Sequence, residues 1–151
     1  MKYNFLWMIV SATALTILYA CGKNKFETTP TIRIKDVNDT EITPGSSLKI
    51  TVECTDKEGD LGGGQLTYIR VRTNTIAIPN PSVNDKADTA YYTVPDFPKT
   101  DKIDLDLTIP YDFMNEDPNR NDTMFFKITV RDIESNQSDT IATKTIVARQ
   151  N

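Results

Sequence analysis

From residue 31 to residue 148 the chain repeats one pattern. Apolar and polar residues alternate in short runs, and each run ends at proline, glycine, asparagine or aspartate. A period of two belongs to a strand with one face in a core and the other in water. The cleanest run, 47–54 (SLKITVEC), turns Leu48, Ile50, Val52 and Cys54 to one side and Lys49, Thr51 and Glu53 to the other. The runs 31–37 (Ile32, Ile34 and Val37 inward), 102–109 (Ile103, Leu105, Leu107 and Ile109 inward) and 123–132 (Met124, Phe126, Ile128 and Val130 inward) repeat it. In 66–73 the reading points Ile69 and Val71 inward and Tyr68, Arg70 and Arg72 outward. Runs at 89–94 and 138–148 complete the set, and no stretch after the leader has useful helical periodicity. About seven strands joined by turns predict an all-β fold, one immunoglobulin-like antiparallel β-sandwich. Antibody hallmarks are missing: no tryptophan follows Trp7, no cysteine in 123–132 faces Cys54, and no tyrosine opens that run. A fibronectin III-like or cadherin-like sandwich is therefore expected. The connections 74–88 and 110–122 are long enough to suggest function or mobility.

The amino-terminal segment differs in kind. Lys2 precedes an apolar run at 5–18, FLWMIVSATALTIL, shorter than the ~20 residues a membrane span needs. It reads as a secretory signal peptide over 1–20. Leu18-Tyr19-Ala20-Cys21 follows and resembles the bacterial lipobox. Leu18, Ala20 and Cys21 match that pattern, and Tyr19 stands where a small residue is commoner. The resemblance implies cleavage before Cys21, a diacylglycerol thioether on its sulfur, and two or three acyl chains. At ~0.8 kcal/mol per buried methylene, such an anchor is effectively permanent. The expected organisation is a signal peptide at 1–20, a lipidated cysteine and polar tether at 21–30, and the sandwich at 31–151.

Loss of Lys2 leaves 16 basic residues against 21 acidic ones, a balance that disfavours a nucleic-acid partner. With Cys21 lipidated, Cys54 has no partner for an intrachain disulfide and is expected to be a small buried apolar residue. The absence of histidine removes Ser-His-Asp and Cys-His catalysis and imidazole-based zinc sites. Asp104 and Asp106 should sit on the solvated face of their strand, a poor arrangement for glycoside hydrolysis. The expectation is a protein that is not an enzyme.

Two loops concentrate acids. Residues 55–64, TDKEGDLGGG, offer Asp56, Glu58 and Asp60, and residues 131–139 offer Asp132, Glu134 and Asn136. The first is no EF-hand, because Leu61 stands where that loop needs glycine and Thr67 where it needs an acid. It is no P-loop, because no Gly-Lys-Ser/Thr follows. In a sandwich of alternating strands both loops fall at one end, with Asp96 and Asp101 nearby and the tether emerging there. Six oxygen-bearing side chains suit calcium; a solvated acidic rim, partly neutralised by Lys57 and Arg131, is the plainer alternative. Arg70, Arg72 and Lys127, with Arg131 and Lys144, are expected to form an outward basic face for an anionic glycan, headgroup or acidic partner, or merely a solvated one. Tyr91, Tyr92, Tyr111 and Phe113 offer aromatic surface, although alternation should bury one of the Tyr91/Tyr92 pair.

The lipobox, the tether, a strand ending in T-D-K-E-G-D-L-G and a late F-K-I-T-V-R-D-x-E-S-N-x-S-D-T hairpin together resemble a group of Bacteroidota lipoproteins with immunoglobulin-like or cadherin-like domains. The resemblance implies outer-membrane attachment and no assigned activity. It also implies O-glycans on Asp-Ser/Thr-apolar tripeptides, here at Thr89, Thr123 and Thr140. Surface-exported members carry acids just after the cysteine; Gly22-Lys-Asn-Lys-Phe26 has none, which favours the periplasmic face. The resulting expectation is a lipid-anchored structural or accessory module that holds an envelope protein or glycan. The alternative is a carbohydrate-binding accessory lipoprotein of a glycan-uptake system.

Overall fold

The computed structural model describes residues 28–76 and 89–150, so Cys21 and most of the tether lie outside the described residues. The elements are β1 (Thr31–Val37), β2 (Glu41–Ile42), β3 (Ser47–Thr55), β4 (Gln65–Arg72), β5 (Thr89–Thr93), β6 (Lys102–Pro110), a 3₁₀ turn (Tyr111–Phe113), β7 (Asp122–Arg131), β8 (Ile141–Ala142) and β9 (Ile146–Ala148). One sheet has the order β1-β3-β6; the other runs β2-β9-β7-β4-β5, with β8 also on β7. Their apolar faces share one core, so the fold is an immunoglobulin-like β-sandwich, as the alternation predicts.

β3 and β7 supply the centre. Leu48, Ile50, Val52, Cys54, Phe126, Ile128 and Val130 are all 0% exposed. Burial pushes the Cys54 thiol up to about 12, so it stays protonated and inert. In β1 a bulge between Ile34 and Asp36 brings Val37 back into phase, opposite Ile50. On the outer face of that sheet, Arg33 Nε and Lys102 Nζ hold the Glu53 carboxylate at 2.7 and 2.8 Å. Hydrogen bonds from Arg33 first and Lys102 second depress its pKa to about 2. Lys35 pairs with Asp104, and Thr51 Oγ1 donates to Asp106 Oδ1 at 2.8 Å, so both aspartates lie on the solvated face as expected.

The phase of β4 is the reverse of the expected one. Leu66, Tyr68 and Arg70 are buried at 5, 7 and 4% exposure, while Ile69 is 39% exposed. A one-residue shift exchanges every side chain between faces. Here the inward set is favoured because the Tyr68 ring meets Phe126 edge-on at 5.7 Å and stacks on Tyr92 at 5.9 Å. The charge brought inside is also paired: Arg70 donates to the Phe113 carbonyl and pairs with Glu116. Arg72 Nε reaches Asp122 Oδ1 at 2.6 Å with its side chain 17% exposed. The expected outward basic face of Arg70, Arg72 and Lys127 is therefore reduced to Lys127 among those three.

The 110–122 connection is ordered by the same charges. Asp122, fully buried, accepts the Glu116 and Asp117 amides at 2.6 and 2.8 Å. Gln150 Nε2 donates to the Asp117 carbonyl at 2.8 Å, and Tyr111 OH to the Arg149 carbonyl at 2.8 Å, so the connection grips the end of the described chain. The run 138–148, expected as one strand, is divided. Ser138 Oγ and Thr143 Oγ1 accept from the amides of Val130 and Phe126, each at 3.0 Å, where a continuous strand would offer carbonyls. β2, not anticipated, crosses to the second sheet and pairs parallel with β9, burying Ile42. Tyr91 and Tyr92 are both exposed, at 65 and 46%; Val94, just beyond the edge strand β5, takes the core position instead.

Arg70→Ala is expected to lower unfolding free energy by about 2–3 kcal/mol in urea titrations, because Glu116, 11% exposed, loses its nearer cation and keeps only Arg72 at 3.9 Å. Lys127→Ala should stay within about 0.5 kcal/mol. The opposite ranking would restore the phase first expected.

Candidate metal centre

Residues 56–64 turn from β3 into β4 along a path that two glycines permit. Gly59 has φ of +66°, and a Cβ there would stand 3.0 Å from the Thr100 carbonyl oxygen. Gly64 lies flat against the end of β7, where a Cβ would fall 2.3 Å from the Arg131 carbonyl oxygen. That approach brings the 56–64 loop against the 132–137 loop. Leu61, 0% exposed, fastens the first loop to the core. The 94–101 segment closes a third side: Asp56 N donates to Asp101 O at 2.8 Å, and Gly63 N to Val94 O at 3.0 Å.

Five of the six predicted side chains converge. Asp56, Asp60 and Asp132 form one group, and Glu58, Asp60 and Glu134 a second, with the offered oxygens of each group within 4.8 Å of one another. Asp56 and Asp132 are 1 and 3% exposed; Glu134 lies at the exposed mouth. Asp101 contributes its backbone carbonyl to Asp56, and neither it nor Asp96 belongs to either group. Asn136 acts differently from the expectation. Its amide N and Nδ2 donate to Asp132 Oδ1 and Oδ2 at 2.8 and 2.9 Å, so it orients that carboxylate. Ser135, at φ of +75°, makes the reversal that allows this. Arg131 is turned away and donates to Gln65 Oε1 at 3.2 Å.

The cluster is electrostatically incomplete. Asp56 accepts the amides of Glu58 and Asp60 at 3.3 and 3.1 Å. Glu58 Oε2 and Asp60 Oδ1 are buried and have no hydrogen-bond partner among the described residues. A hydrogen bond with the Asp56 carboxyl, then burial, then the charges of Asp56 and Asp132 push Asp60 up to about 6. Both groups could hold a metal ion, and an all-oxygen donor set selects a hard cation.

The proposed glycan acceptors differ in setting. Thr140 is exposed in a loop, and Thr89 is half-buried on the edge strand β5. Thr123 lies inside the second sheet, its amide bonded to Asn74 Oδ1 at 2.6 Å and its carbonyl to Thr73 N at 2.7 Å. The pairing of Glu116 with buried Arg70 and of Asp122 with half-buried Arg72 is not among the expectations. Their signal, acids 46 and 50 residues from the arginines they meet, is too diffuse to read.

No family model matches the chain, and no curated protein matches it. Among solved structures it is similar to the cohesin module of a family 33 glycoside hydrolase from Clostridium perfringens. That likeness covers 78% of this chain and 93% of the module, with 12% identity and a TM-score of 0.38.

Asp60 is raised above its ordinary 3.8, so the stability it contributes is complete below that value and is lost as pH rises through about 6. In excess chelator the melting temperature is expected to fall between about pH 4 and pH 6, and Asp60→Asn should flatten that slope. An unchanged slope in Asp60→Asn would assign it to another group.

Proposed function

We propose that this chain is a non-enzymatic, lipid-anchored module of a bacterial outer membrane, a sandwich whose loop end is stiffened by calcium. The observation that carries the reading is the meeting of five carboxylates from two loops, with two of their oxygens buried and unpartnered among the described residues. Calcium takes six to eight oxygens, and extracellular modules hold it at ~10⁻⁴–10⁻³ M. β1 begins opposite Thr55, where β3 enters the acidic loop, so the tether leaves from the same end as the cluster. Anchor and cation would then act together: the lipid on Cys21 fixes position, and the ion fixes the loops beside it. The module's work is structural or accessory, holding an envelope protein or glycan close to the membrane, with the periplasmic face favoured by the sequence after Cys21.

A second reading, a carbohydrate-binding accessory lipoprotein of a glycan-uptake system, draws on Tyr91 and Tyr92, which both present ring surface to solvent. A glycan array tests the second reading, which requires a preference for some sugar; the first is met by a protein partner without one.

Calcium near ~1 mM is expected to raise the melting temperature by a few degrees over chelator, and Asp132→Asn to abolish the rise. Identical melting curves with and without calcium would remove the cation. Labelled palmitate should enter the chain in cells and be lost in Cys21→Ala; a Cys21→Ala protein that still pellets with membranes would remove the anchor.

A further inference from the structure

A sandwich must guard its free strand edges against added strands. Here β1 is broken by a bulge, β2 is two residues long and β5 five. β6 is different: nine residues in unbroken register with β3, from Lys102 to Pro110, and unpaired on its other side among the described residues. Beside that edge a groove of about 410 Å³ opens between the sheets, lined by Leu66, Tyr92, Val94 and Leu105 and also by Asp104 and Asp106. The two faces of β6 differ. Leu105 is half-buried towards the groove, and Asp104 and Asp106 are exposed on the solvent side. Lys35 pairs with Asp104; Asp106 is bonded by Thr51 Oγ1 and forms no ion pair among the described residues.

We propose that the free edge of β6 docks an extended segment of a partner protein in which apolar residues alternate with lysine or arginine, added as a fourth strand beside β6. Side chains of a paired strand alternate faces with the strand they join. One set therefore enters the groove against Leu105 and Tyr92. The other stands beside Asp104 and Asp106, where a cation is attracted and an acid repelled. The same acids disfavour a second copy of this chain in the central registers. Antiparallel β6–β6 pairing centred on Leu105 sets Asp104 against Asp106, and pairing centred on Asp106 sets that residue against itself.

The test uses the full chain in detergent and two labelled synthetic peptides, one alternating lysine with valine and one alternating glutamate with valine. The lysine peptide is expected to bind at least ~tenfold tighter, and Asp106→Lys to weaken it about tenfold. Because Asp106 is exposed, the variant should keep its melting temperature; Asp106→Asn, with a smaller loss, serves if it does not. Amide exchange should slow at 104–108 on binding. The proposal is overturned by absent binding, by equal affinity for both peptides, or by protection that maps to β1 or β5. A dimer protected along β6 assigns the edge to a second copy and equally overturns it.

Discussion

The inward turn of Arg70 organises more of this protein than any other single interaction. A guanidinium in the core is tolerable only with acceptors around it. Glu116 and the Phe113 carbonyl provide them, and both belong to the connection that follows β6. Arg72 draws Asp122 into the same network, and Asp122 in turn holds two amides of that connection. A segment that composition alone would leave as a loose loop is thereby fixed against the sheet. Gln150 and the Arg149 carbonyl are tied to it, so the order of the loop and the hold on the last described residues belong to one network.

The opposite end follows a different logic. There the constraint is backbone proximity: Gly64 on Arg131 leaves no room for a side chain. The acids are pressed together by that contact and by the burial of Leu61, against their own repulsion. A hydrogen bond with Asp56, burial, and the charges of Asp56 and Asp132 hold the Asp60 carboxyl above its ordinary range. A rim of solvated turn residues would spread apart, because two charges at ~4 Å in water repel by only about 1 kcal/mol and nothing would hold them. Here the core holds them.

Where strands are half-buried and strictly alternating, as in 47–54 and 123–132, the sequence is sufficient, because only one phase buries the apolar set. The convergence of the two acidic loops was also legible, since sandwich topology alone puts them at one end. The phase of β4 is not legible in the sequence because both of its faces carry apolar residues. Ile69 and Val71 compete with Leu66 and Tyr68, and the decision comes from Phe126 and Tyr92, far away in the chain. The break in 138–148 depends on hydroxyls replacing carbonyls, which alternation does not register. β2 is two residues long, below the length at which any period can be seen.

The parallel pairing of β2 with β9 has a mechanical consequence. β2 follows the first strand of the domain and β9 precedes its last described residues, so a pull applied between the two termini slides these strands past each other. In that geometry the Val147–Thr40 and Arg149–Ile42 hydrogen bonds, both 2.8 Å, bear load together instead of opening one by one. A chain held at one end and tugged at the other would resist by its slowest rupture, making its endurance under tension a matter of barrier height.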